Sequence, residues 1–397
     1  MSLDITRVAA QISGMVARLR GDSEQRRRRL QSALETAGNY SGDLDSLRRK
    51  AVSARTSWLV AEPVDMIGAR YEPPQIPPAF AVMATDGSHI DIDRHRAVRC
   101  CLINIGSVVL GYGAEPGAVL ESRPSLYYDE ADMVIAPTRP GERKQLIEGS
   151  LLSIKRDMEE MKRLAELAAE AKAGLPTLAL ADGSLIQWTL EPYSEAVTRE
   201  MLHEGYLKCL AEMRRLNSER PLAVASYISY PGSTDVVNLL KVILCPCREI
   251  DCDKCPYAED KPCEAVEGVL DRQLFDGLLA EGERSALFIS ASKIQKEYGE
   301  HRVQFFYVRT GEEIARVEVP QWVASDGALL NLTHALVVDQ CRRGYGYPVA
   351  LSEAHEQAVV TGADREEFWQ LVEQSLAEEK VPASGSAKSF SKRTRWV

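Results

Sequence analysis

The sequence of 397 residues lacks any apolar run near the roughly 18 residues that a membrane-spanning helix needs. Its N-terminal stretch alternates charged and apolar side chains, so it also lacks the apolar block of a secretory signal peptide. We therefore expect a cytoplasmic protein. Hydrophobic residues still make up 45% of the chain, which is enough to bury the core of one large domain or of two ordinary ones.

An excess of positive charge is also absent, because the formal net charge is −10. Proteins that bind DNA tightly on their own usually carry a basic surface, since neutralising phosphates drives the affinity. A role on DNA would therefore need local basic patches or a partner that holds the strand. The run Arg26–Arg29 is typical of a solvated helix face, with a docking or DNA-backbone surface as the alternative.

The spacing of apolar residues divides the chain into three parts. Residues 1–72 are predicted to form an N-terminal helical arm, which ends at a proline-rich stretch. Residues 78–375 are predicted to form the main domain, and the basic tail 383–397 is predicted to be flexible. In the main domain three strands and a long helix precede alternating helices and strands. This order favours an α/β fold with an RNase H-like mixed β-sheet flanked by helices, although several doubly wound folds share it.

Some boundaries within the main domain are predicted more closely. The long helix is expected to open at Pro140 and Gly141 and to end near Ala173. The apolar segment 315–324 is expected to be a strand throughout, and residues 327–343 are expected to be helical.

Two predicted strands end in the same tripeptide, Asp86-Gly87-Ser88 and Asp182-Gly183-Ser184. An aspartate just past a buried strand needs a partner to stay charged, and the adjacent glycine lets another group approach closely. One copy alone is compatible with an ordinary turn, but this fold places the two strands side by side. Two such aspartates predict a site for Mn²⁺ or Mg²⁺, which can hydrolyse a phosphodiester by a two-metal mechanism. A similar tripeptide, Asp326-Gly327-Ala328, follows no apolar strand end and is interpreted as a turn.

A third carboxylate is expected from the long helix. The rise per residue of a strand and of a helix places Asp182 opposite residues 156–160. Glu160 is therefore the predicted residue, with its neighbour Glu159 as an alternative. Glu148 departs from this geometry but stays open as a further alternative.

One histidine is a candidate for the same site. His355 lies at a predicted helix start, where a lone histidine is more often structural, but a neutral imidazole can also ligate Mn²⁺ or position a water. His89 and His95, near the first hairpin, are interpreted as structural.

Five of the nine cysteines crowd into a predicted insertion at residues 244–264. In a cytosolic chain such crowding indicates a metal or cluster site rather than disulfides, and thiolates select Zn²⁺ or an iron–sulfur cluster. Free thiols are the remaining alternative. We predict that at least four of the five converge on one metal centre. They are Cys245, Cys247, Cys252, Cys255 and Cys263.

Several segments between about residues 80 and 370 resemble the NurA family of DNA-end-processing nucleases, namely TDGSHI, LADGSLI, YISYPGSTDVVNLLK, ARVEVPQWVA and GYPVALSEAHEQAV. The resemblance implies an RNase H-like fold, a Mn²⁺-dependent DNA nuclease and a partnership with the hexameric HerA translocase in DNA end resection. It maps the carboxylates of the family onto Asp86 and Asp182, its C-terminal histidine onto His355, and its helical glutamate, less securely, onto Glu160. The cysteine block is not counted among the defining features of the family.

Partners are expected on two grounds. A ring-shaped motor that feeds DNA to the nuclease would compensate for the acidic net charge. The apolar stripe of the arm is too small for a core of its own, so the arm should pack on another chain or on the main domain. We expect a homodimer that docks on a HerA-type ATPase.

Two other function classes fit part of the pattern. A catalytically inactive NurA-like scaffold that binds DNA and the motor would have no need of both Asp86 and Asp182, and Mn²⁺-dependent cleavage separates it from the enzyme. A sugar-kinase or actin-like ATPase has a related fold with Asp-Gly in its phosphate loops, but those loops are longer and richer in glycine and threonine. A nucleotide-binding assay identifies that class.

Overall fold

The computed structural model describes residues 4–93, 96, 98–137, 144–171, 174–257 and 259–381. The predictions for His95, for Pro140 and Gly141, for Ala173 and for the tail 383–397 lie outside these residues. Within them, no helix combines the length and the apolar character that crossing a bilayer requires.

The chain forms two compact units. Unit 1 consists of Met1–Pro73, Ser229–Ser292 and Gln304–Val317, and unit 2 consists of Pro74–Ile228, Lys293–Val303 and Glu318–Val397. The division of the sequence into an arm, a main domain with an insertion, and a tail stays a prediction.

The elements of the described residues are numbered in chain order. The strands are β1 (Glu62–Pro63), β2 (Arg70–Tyr71), β3 (Phe80–Ile90), β4 (Cys101–Tyr112), β5 (Gly117–Tyr127), β6 (Val134–Ile135), β7 (Gln145–Leu146), β8 (Thr177–Asp182), β9 (Leu222–Ile228), β10 (Arg284–Ser285), β11 (Phe288–Ile289), β12 (Val303–Thr310) and β13 (Glu313–Pro320). The α-helices are α1 (Ile5–Gly21), α2 (Ser23–Asn39), α3 (Leu44–Ser53), α4 (Glu130–Met133), α5 (Ser150–Glu170), α6 (Glu195–Val197), α7 (Leu207–Asn217), α8 (Asp235–Leu244), α9 (Asp271–Asp276), α10 (Gln321–Ala324), α11 (Gly327–Arg343), α12 (Val349–Ala358) and α13 (Gly362–Glu378). A π-helix spans Thr198–Tyr206, and 3₁₀ turns span Trp188–Leu190, Cys252–Lys254, Pro262–Val266, Lys293–Glu297 and Gly299–His301.

In unit 2 the sheet has the strand order β9-β8-β3-β4-β5. β3 pairs antiparallel with β4 and parallel with β8, and β8 pairs parallel with β9. The central strands are nearly continuous buried apolar runs, which is typical of strands covered on both faces. The helices α5 and α12 both pack against β3. The predicted α/β fold, a mixed sheet flanked by helices, is confirmed.

Unit 1 has its own apolar core. The helices α2 and α3 of the arm bury Ala33, Ala37 and Leu47 against residues of α8, α9 and the strands β11 and β12. The rings of Phe275 and Tyr307 stack in this core with their centroids 4.6 Å apart. In contrast, α1 buries none of its residues. The second and third helices of the arm therefore pack on a later segment of the same chain.

Two predicted boundaries are wrong for local reasons. The segment 315–324 is not a strand throughout, because β13 ends at Pro320 and α10 begins at the next residue. Proline has no N–H to donate to a strand ladder and is well suited to a helix start. The helix α5 begins at Ser150 rather than near residue 140, since Gln145–Leu146 pairs with β6 as a strand.

Two further predictions of local structure are wrong. Asp326 is not part of a simple turn, because its Oδ1 accepts hydrogen bonds from the backbone N–H groups of Ala328 and Leu329, at 2.8 and 3.2 Å, and so caps α11. His355 does not lie at a helix start, because it belongs to the last turn of α12.

Candidate active site

Asp86 and Asp182 are brought together by parallel pairing of their strands. The ladder between β3 and β8 ends with Thr85 opposite Ala181, so the two aspartates are the next residues in register. Neighbouring strands lie about 4.8 Å apart. Asp182 is the last residue of β8, whereas Asp86 lies inside β3, which continues to Ile90. Beyond Asp86, β3 therefore has no neighbour on the β8 side. The carboxylates of Asp86 and Asp182 line one small cavity of about 160 Å³, which we call the carboxylate cavity.

His355 contacts Asp86 from α12. Its Nδ1 lies 2.7 Å from Asp86 Oδ2, and its ring is largely exposed, with 66% of the side-chain surface accessible. The end of α12 is held on the sheet by Ser88, whose hydroxyl donates to the carbonyl of Ala358 at 2.7 Å. The Nδ2 of Asn104, on β4, donates to the same carbonyl at 3.0 Å. Ser88 and Asn104 therefore fix the helix turn that carries His355.

Glu160 reaches the cavity from α5, on the other face of the sheet. Thr85 donates its hydroxyl to the Glu160 carbonyl at 3.1 Å, while Asp86 and Ser88 face α12, as alternation along a strand requires. Gly87 also faces α5, and a Cβ at this position would lie 2.5 Å from Glu160 Oε1. The absence of a side chain at Gly87 therefore gives the Glu160 carboxylate its place beside the two aspartates.

Burial and mutual repulsion raise the pKa values of two acids of the carboxylate cavity, Glu160 and Asp182. Burial raises the pKa of Glu160 well above its usual value; the charges of Asp157, Asp86 and Asp182 raise it further, while Arg156 lowers it. Removal of water also raises the pKa of Asp182, as does the charge of Asp86. Like charges this close resist joint ionisation unless a cation compensates for them.

The other predicted acids and histidine lie elsewhere. Glu159 points away from the carboxylate cavity and lies 3.7 Å from Lys162. Glu148 precedes α5, is exposed, and does not line the cavity. His89 is half-buried, 3.4 Å from Asp91, and burial lowers its pKa. Of the three glutamates weighed from the sequence, Glu160 is the one that joins the two aspartates.

Three side chains at this site were missed by the sequence prediction. The Tyr347 hydroxyl donates to Asp182 Oδ1 at 3.1 Å. The Nε of Arg156 lies 3.0 Å from Glu160, and its Nη2 lies 2.8 Å from Asp157. Arg156 and Asp157 both line the carboxylate cavity. Asp157 and Glu160 are three residues apart and therefore share a helix face. Arg156 and Asp157 lie within the predicted window 156–160, and the helical spacing of Asp157 from Glu160 is the sequence signal for them.

The residues of the second tripeptide, Asp182-Gly183-Ser184, have contacts different from those of the first. Gly183 has φ of +75°, in the left-handed region that favours glycine, and its N–H donates to the Tyr227 carbonyl at 3.0 Å. The Ser184 hydroxyl donates to Glu318 Oε2 at 2.8 Å, and the N–H of Leu185 donates to the same oxygen at 2.9 Å. The chain therefore turns sharply after Asp182 and is anchored on Glu318.

The donor set of the carboxylate cavity suits a hard divalent cation, since it consists of carboxylate oxygens with one imidazole beside them. Glu160 Oε1 is buried and lies 3.0 Å from Arg156 Nε, without a well-directed hydrogen bond. In the described residues, however, no group of three or more His, Cys, Asp or Glu side chains is arranged to hold a metal ion. Each acid instead has its own partner: His355 for Asp86, Tyr347 for Asp182 and Arg156 for Glu160.

A second cluster of ligating side chains lies in unit 1. The five cysteines predicted to form a metal centre line a single cavity of about 300 Å³, the cysteine cavity. None of them forms a disulfide. Their prediction as a zinc or iron–sulfur site stays a prediction.

Two solved structures are similar to this chain, and the first of them shares its fold. The crystal structure of the NurA nuclease from Sulfolobus solfataricus matches with a TM-score of 0.52 and 12% identity, over 96% of this chain and 98% of that chain. A crystal structure of NurA with manganese matches with a TM-score of 0.39 and 9% identity, over 78% of this chain and 91% of that chain. No curated protein matches the sequence. The model of the NurA domain family matches residues 80–360, well over half of the chain, and the chain therefore belongs to the NurA domain family.

Proposed function

We propose that this protein is a Mn²⁺- or Mg²⁺-dependent deoxyribonuclease that hydrolyses phosphodiester bonds. The observation that carries the proposal is the meeting of Asp86, Asp182 and Glu160 in one cavity, with Nδ1 of His355 2.7 Å from Oδ2 of Asp86. Membership of the NurA domain family, and the fold shared with a NurA nuclease, support it.

Asp86, Asp182 and Glu160 would hold the cation through carboxylate oxygens. The bound cations would activate a water and stabilise the leaving oxygen of the phosphodiester, as in two-metal hydrolysis. The raised pKa values of Glu160 and Asp182 mean that protons compete for the same oxygens. Activity should therefore fall as the pH decreases through these raised values.

His355 and Tyr347 hold protons at the edge of the site. The Asp86 carboxylate accepts a hydrogen bond from Nδ1 of His355, so Nε2 is the ring nitrogen left to give or take a proton at the substrate. The Tyr347 hydroxyl, by donating to Asp182, orients that carboxylate. Burial and the charge of Asp182 raise the pKa of Tyr347, which keeps its proton in place.

Cleavage of end-labelled DNA with and without Mn²⁺ tests the proposal. Asp86→Ala and Asp182→Ala should each lower the metal-dependent rate by about 10³-fold or more, because a metal ion supplies several kcal/mol of transition-state stabilisation. Asp91→Ala, a change of the same kind outside the cavity, should retain activity. Unimpaired cleavage by the Asp86→Ala variant would overturn the assignment of the active site, and a wild-type protein without Mn²⁺-dependent cleavage would leave the catalytically inactive scaffold as the better function.

We propose that the substrate is delivered by a partner, because the net charge of −10 disfavours tight DNA binding by the isolated chain. The setting would be end processing of DNA in the cytoplasm, in double-strand break repair. The partner would be a HerA-type hexameric ATPase, bound by a homodimer of this chain. In support, α1 exposes an apolar stripe of five residues, namely Ile5, Ile12, Met15, Val16 and Leu19. Such a stripe is typical of a docking surface.

Light scattering and co-purification test the partnership. The whole chain should be a dimer and should bind the ATPase, and Ile12→Glu with Val16→Glu should weaken one or both associations. Arg18→Glu, a charge change of similar size off the stripe, is the control. A monomer that does not bind the ATPase would contradict the proposal.

A further inference from the structure

The carboxylate cavity is lined by side chains of both charges. Among the described residues, four acidic side chains and one cationic side chain line it, namely those of Asp86, Asp157, Glu160, Asp182 and Arg156. A phosphodiester would bring a further negative charge to these acids, which disfavours its binding unless positive charge receives it. The proposed nuclease mechanism assigns no task to the arginine. A guanidinium is always charged, and its fork of N–H groups matches the oxygens of a phosphate.

The stem of Arg156 lies over Gly87 of β3. A Cβ at Gly87 would lie 2.8 Å from Arg156 Cγ and 3.1 Å from its Cδ, which is too close for an ordinary van der Waals contact. Arg156 belongs to α5, one helical turn before Glu160. The missing side chain at Gly87 therefore gives room to the arginine as well as to the glutamate.

Two carboxylates hold the guanidinium in place. Its Nε lies 3.0 Å from Glu160 Oε1, and its Nη2 donates to Asp157 Oδ1 at 2.8 Å. Asp157 has a second partner, because the side chain of Gln187 hydrogen-bonds to it. The backbone N–H of Gln187 donates in turn to the Tyr298 hydroxyl at 2.8 Å. The long arginine side chain is thus ordered before a ligand arrives, which reduces the entropy lost on binding.

Part of the guanidinium is left for a ligand. Within the part of the chain that the structure describes, no group hydrogen-bonds to Arg156 Nη1. The side chain is 30% accessible, whereas that of Glu160, which it contacts, is 12% accessible. Nη1 and the second N–H of Nη2 are therefore the donors that an anion entering from solvent can use.

A second arginine on α5 provides the contrast. Arg163 donates from Nε to Ser107 at 3.5 Å, from Nη1 to Glu166 at 3.2 Å and from Nη2 to Glu121 at 3.0 Å. All three of its nitrogens have partners, and its side chain is 7% accessible. Arg163 therefore has the contacts of an arginine that only stabilises the fold. Arg156 differs from it in its unpaired nitrogen, in its accessibility and in its place in the carboxylate cavity.

We propose that Arg156 binds the phosphodiester group of the DNA substrate. This inference rests on the proposed function, because it names the side chain that receives the substrate of that nuclease. Nη1 and Nη2 donate to the non-bridging phosphate oxygens, and Glu160, which contacts Nε through Oε1, keeps Oε2 for the cation. Negative charge that develops on the phosphate oxygens in the transition state strengthens the contact, so Arg156 contributes to the rate as well as to binding.

The salt dependence of DNA binding tests the contact without cleavage. The full chain is titrated against a short, fluorescently labelled single-stranded oligonucleotide, with Ca²⁺ in place of Mn²⁺, and a gel verifies that the probe stays intact. Arg156→Gln should weaken binding about tenfold or more, because a hydrogen-bonded charge contact is lost. It should also reduce the slope of log affinity against log salt by about 0.7, the value for one phosphate contact on a single strand.

Two further variants serve as controls. Arg163→Gln, the same change on the same helix outside the cavity, should keep the affinity and the slope even if its Tm falls. Arg156→Lys keeps the charge and loses the fork, so it should keep the slope. In Mn²⁺, kcat should fall about 10²-fold or more in Arg156→Gln and about tenfold in Arg156→Lys.

The remaining outcomes overturn the proposal. Unchanged affinity and slope in Arg156→Gln, with a lower Tm, would show that Arg156 only neutralises the neighbouring acids. If Arg156→Gln does not fold, as judged by circular dichroism, an unchanged kcat in Arg156→Lys would overturn the proposal instead. The nuclease is judged separately, because loss of cleavage in Asp86→Ala beside full binding and cleavage in Arg156→Gln would remove this inference and leave the proposed function standing.

Discussion

The two Asp-Gly-Ser tripeptides are identical in sequence and differ in what their second and third residues do. Gly87 lies in a continuous strand, where a side chain would meet Glu160 at 2.5 Å. Gly183 lies just after a strand, with φ of +75° and open space where a Cβ would be. The first glycine is needed for room and the second for backbone conformation.

The serines differ in the same way. Ser88 holds α12, the helix of His355, whereas Ser184 is bonded to Glu318 and stabilises the turn after Asp182. The aspartates alone have an equivalent place, side by side in the carboxylate cavity. A repeated tripeptide therefore indicates a repeated function only for the residue whose position relative to the strand is the same in both copies.

Replacing each of the two glycines by alanine should give the largest difference between the two tripeptides. In Gly87→Ala the new methyl must displace the Glu160 carboxylate, and a shift of about 1 Å in an active site can cost about 10²-fold in rate. Because Glu160 and Arg156 are flexible side chains, stability should change less than activity. Gly183→Ala should instead lower stability by about 1 kcal/mol, from its backbone conformation, with a smaller effect on rate. Cleavage rates and thermal unfolding measure the two effects.

Asparagine provides the control for the glycine pair. It adopts the left-handed conformation more readily than other residues, so Gly183→Asn should retain more stability than Gly183→Ala. At Gly87 asparagine is larger than alanine and should be at least as harmful. If position 183 proved the more sensitive in cleavage, the distinction between room and conformation would be wrong.

Alanine at the two serines should have a smaller effect, again of two kinds. Ser88→Ala removes one of two hydrogen bonds to the Ala358 carbonyl, and Asn104 keeps the other, so the rate should fall about two- to tenfold. Ser184→Ala removes the bond to Glu318 and the acceptor of the Ile186 N–H, so unfolding should become easier by about 1–2 kcal/mol. Equal losses of rate in the two variants would show that Ser88 does not position His355.

Much of the fold can be predicted from periodicity. The central strands β3, β8 and β9 of unit 2 have nearly continuous apolar runs, and α5 carries an apolar stripe, so the type of each of these elements can be predicted from local sequence. The fixed rise per residue of strand and helix then selects residues 156–160, and Glu160 lies in that window. What it does there stays a prediction until the variants are measured.

The residues that were missed depend on contacts between distant parts of the chain. Tyr347 reaches Asp182 because a turn with positive φ at Tyr345 and Gly346 delivers its ring, and no periodic pattern encodes that direction. The predicted ends of strands and helices are wrong where a single proline or a short strand pairing determines where the element ends, as at Pro320. The arm packs on α8 and α9, which lie some 200 residues later in the sequence.

The smallest expected effect concerns the free energy of unfolding. Gly87 leaves room for the Glu160 carboxyl, and burying this carboxyl lowers the stability of the folded protein. The raised pKa of this carboxyl means that the folded protein, without metal, holds a proton there that the unfolded chain releases above about pH 4.3. Stability is therefore lost as the pH rises from that value through the folded pKa. Glu160→Gln should remove this loss, so at neutral pH the metal-free variant should unfold at a higher temperature than the wild-type protein, with little change near pH 4. Thermal unfolding in chelator across pH measures it, and Glu159→Gln, the same change outside the cavity, should show no such trend. Mn²⁺ should reverse the order by stabilising the wild-type protein more than the variant. A variant that is less stable than wild type at neutral pH without metal would mean that Arg156 compensates fully for the buried charge.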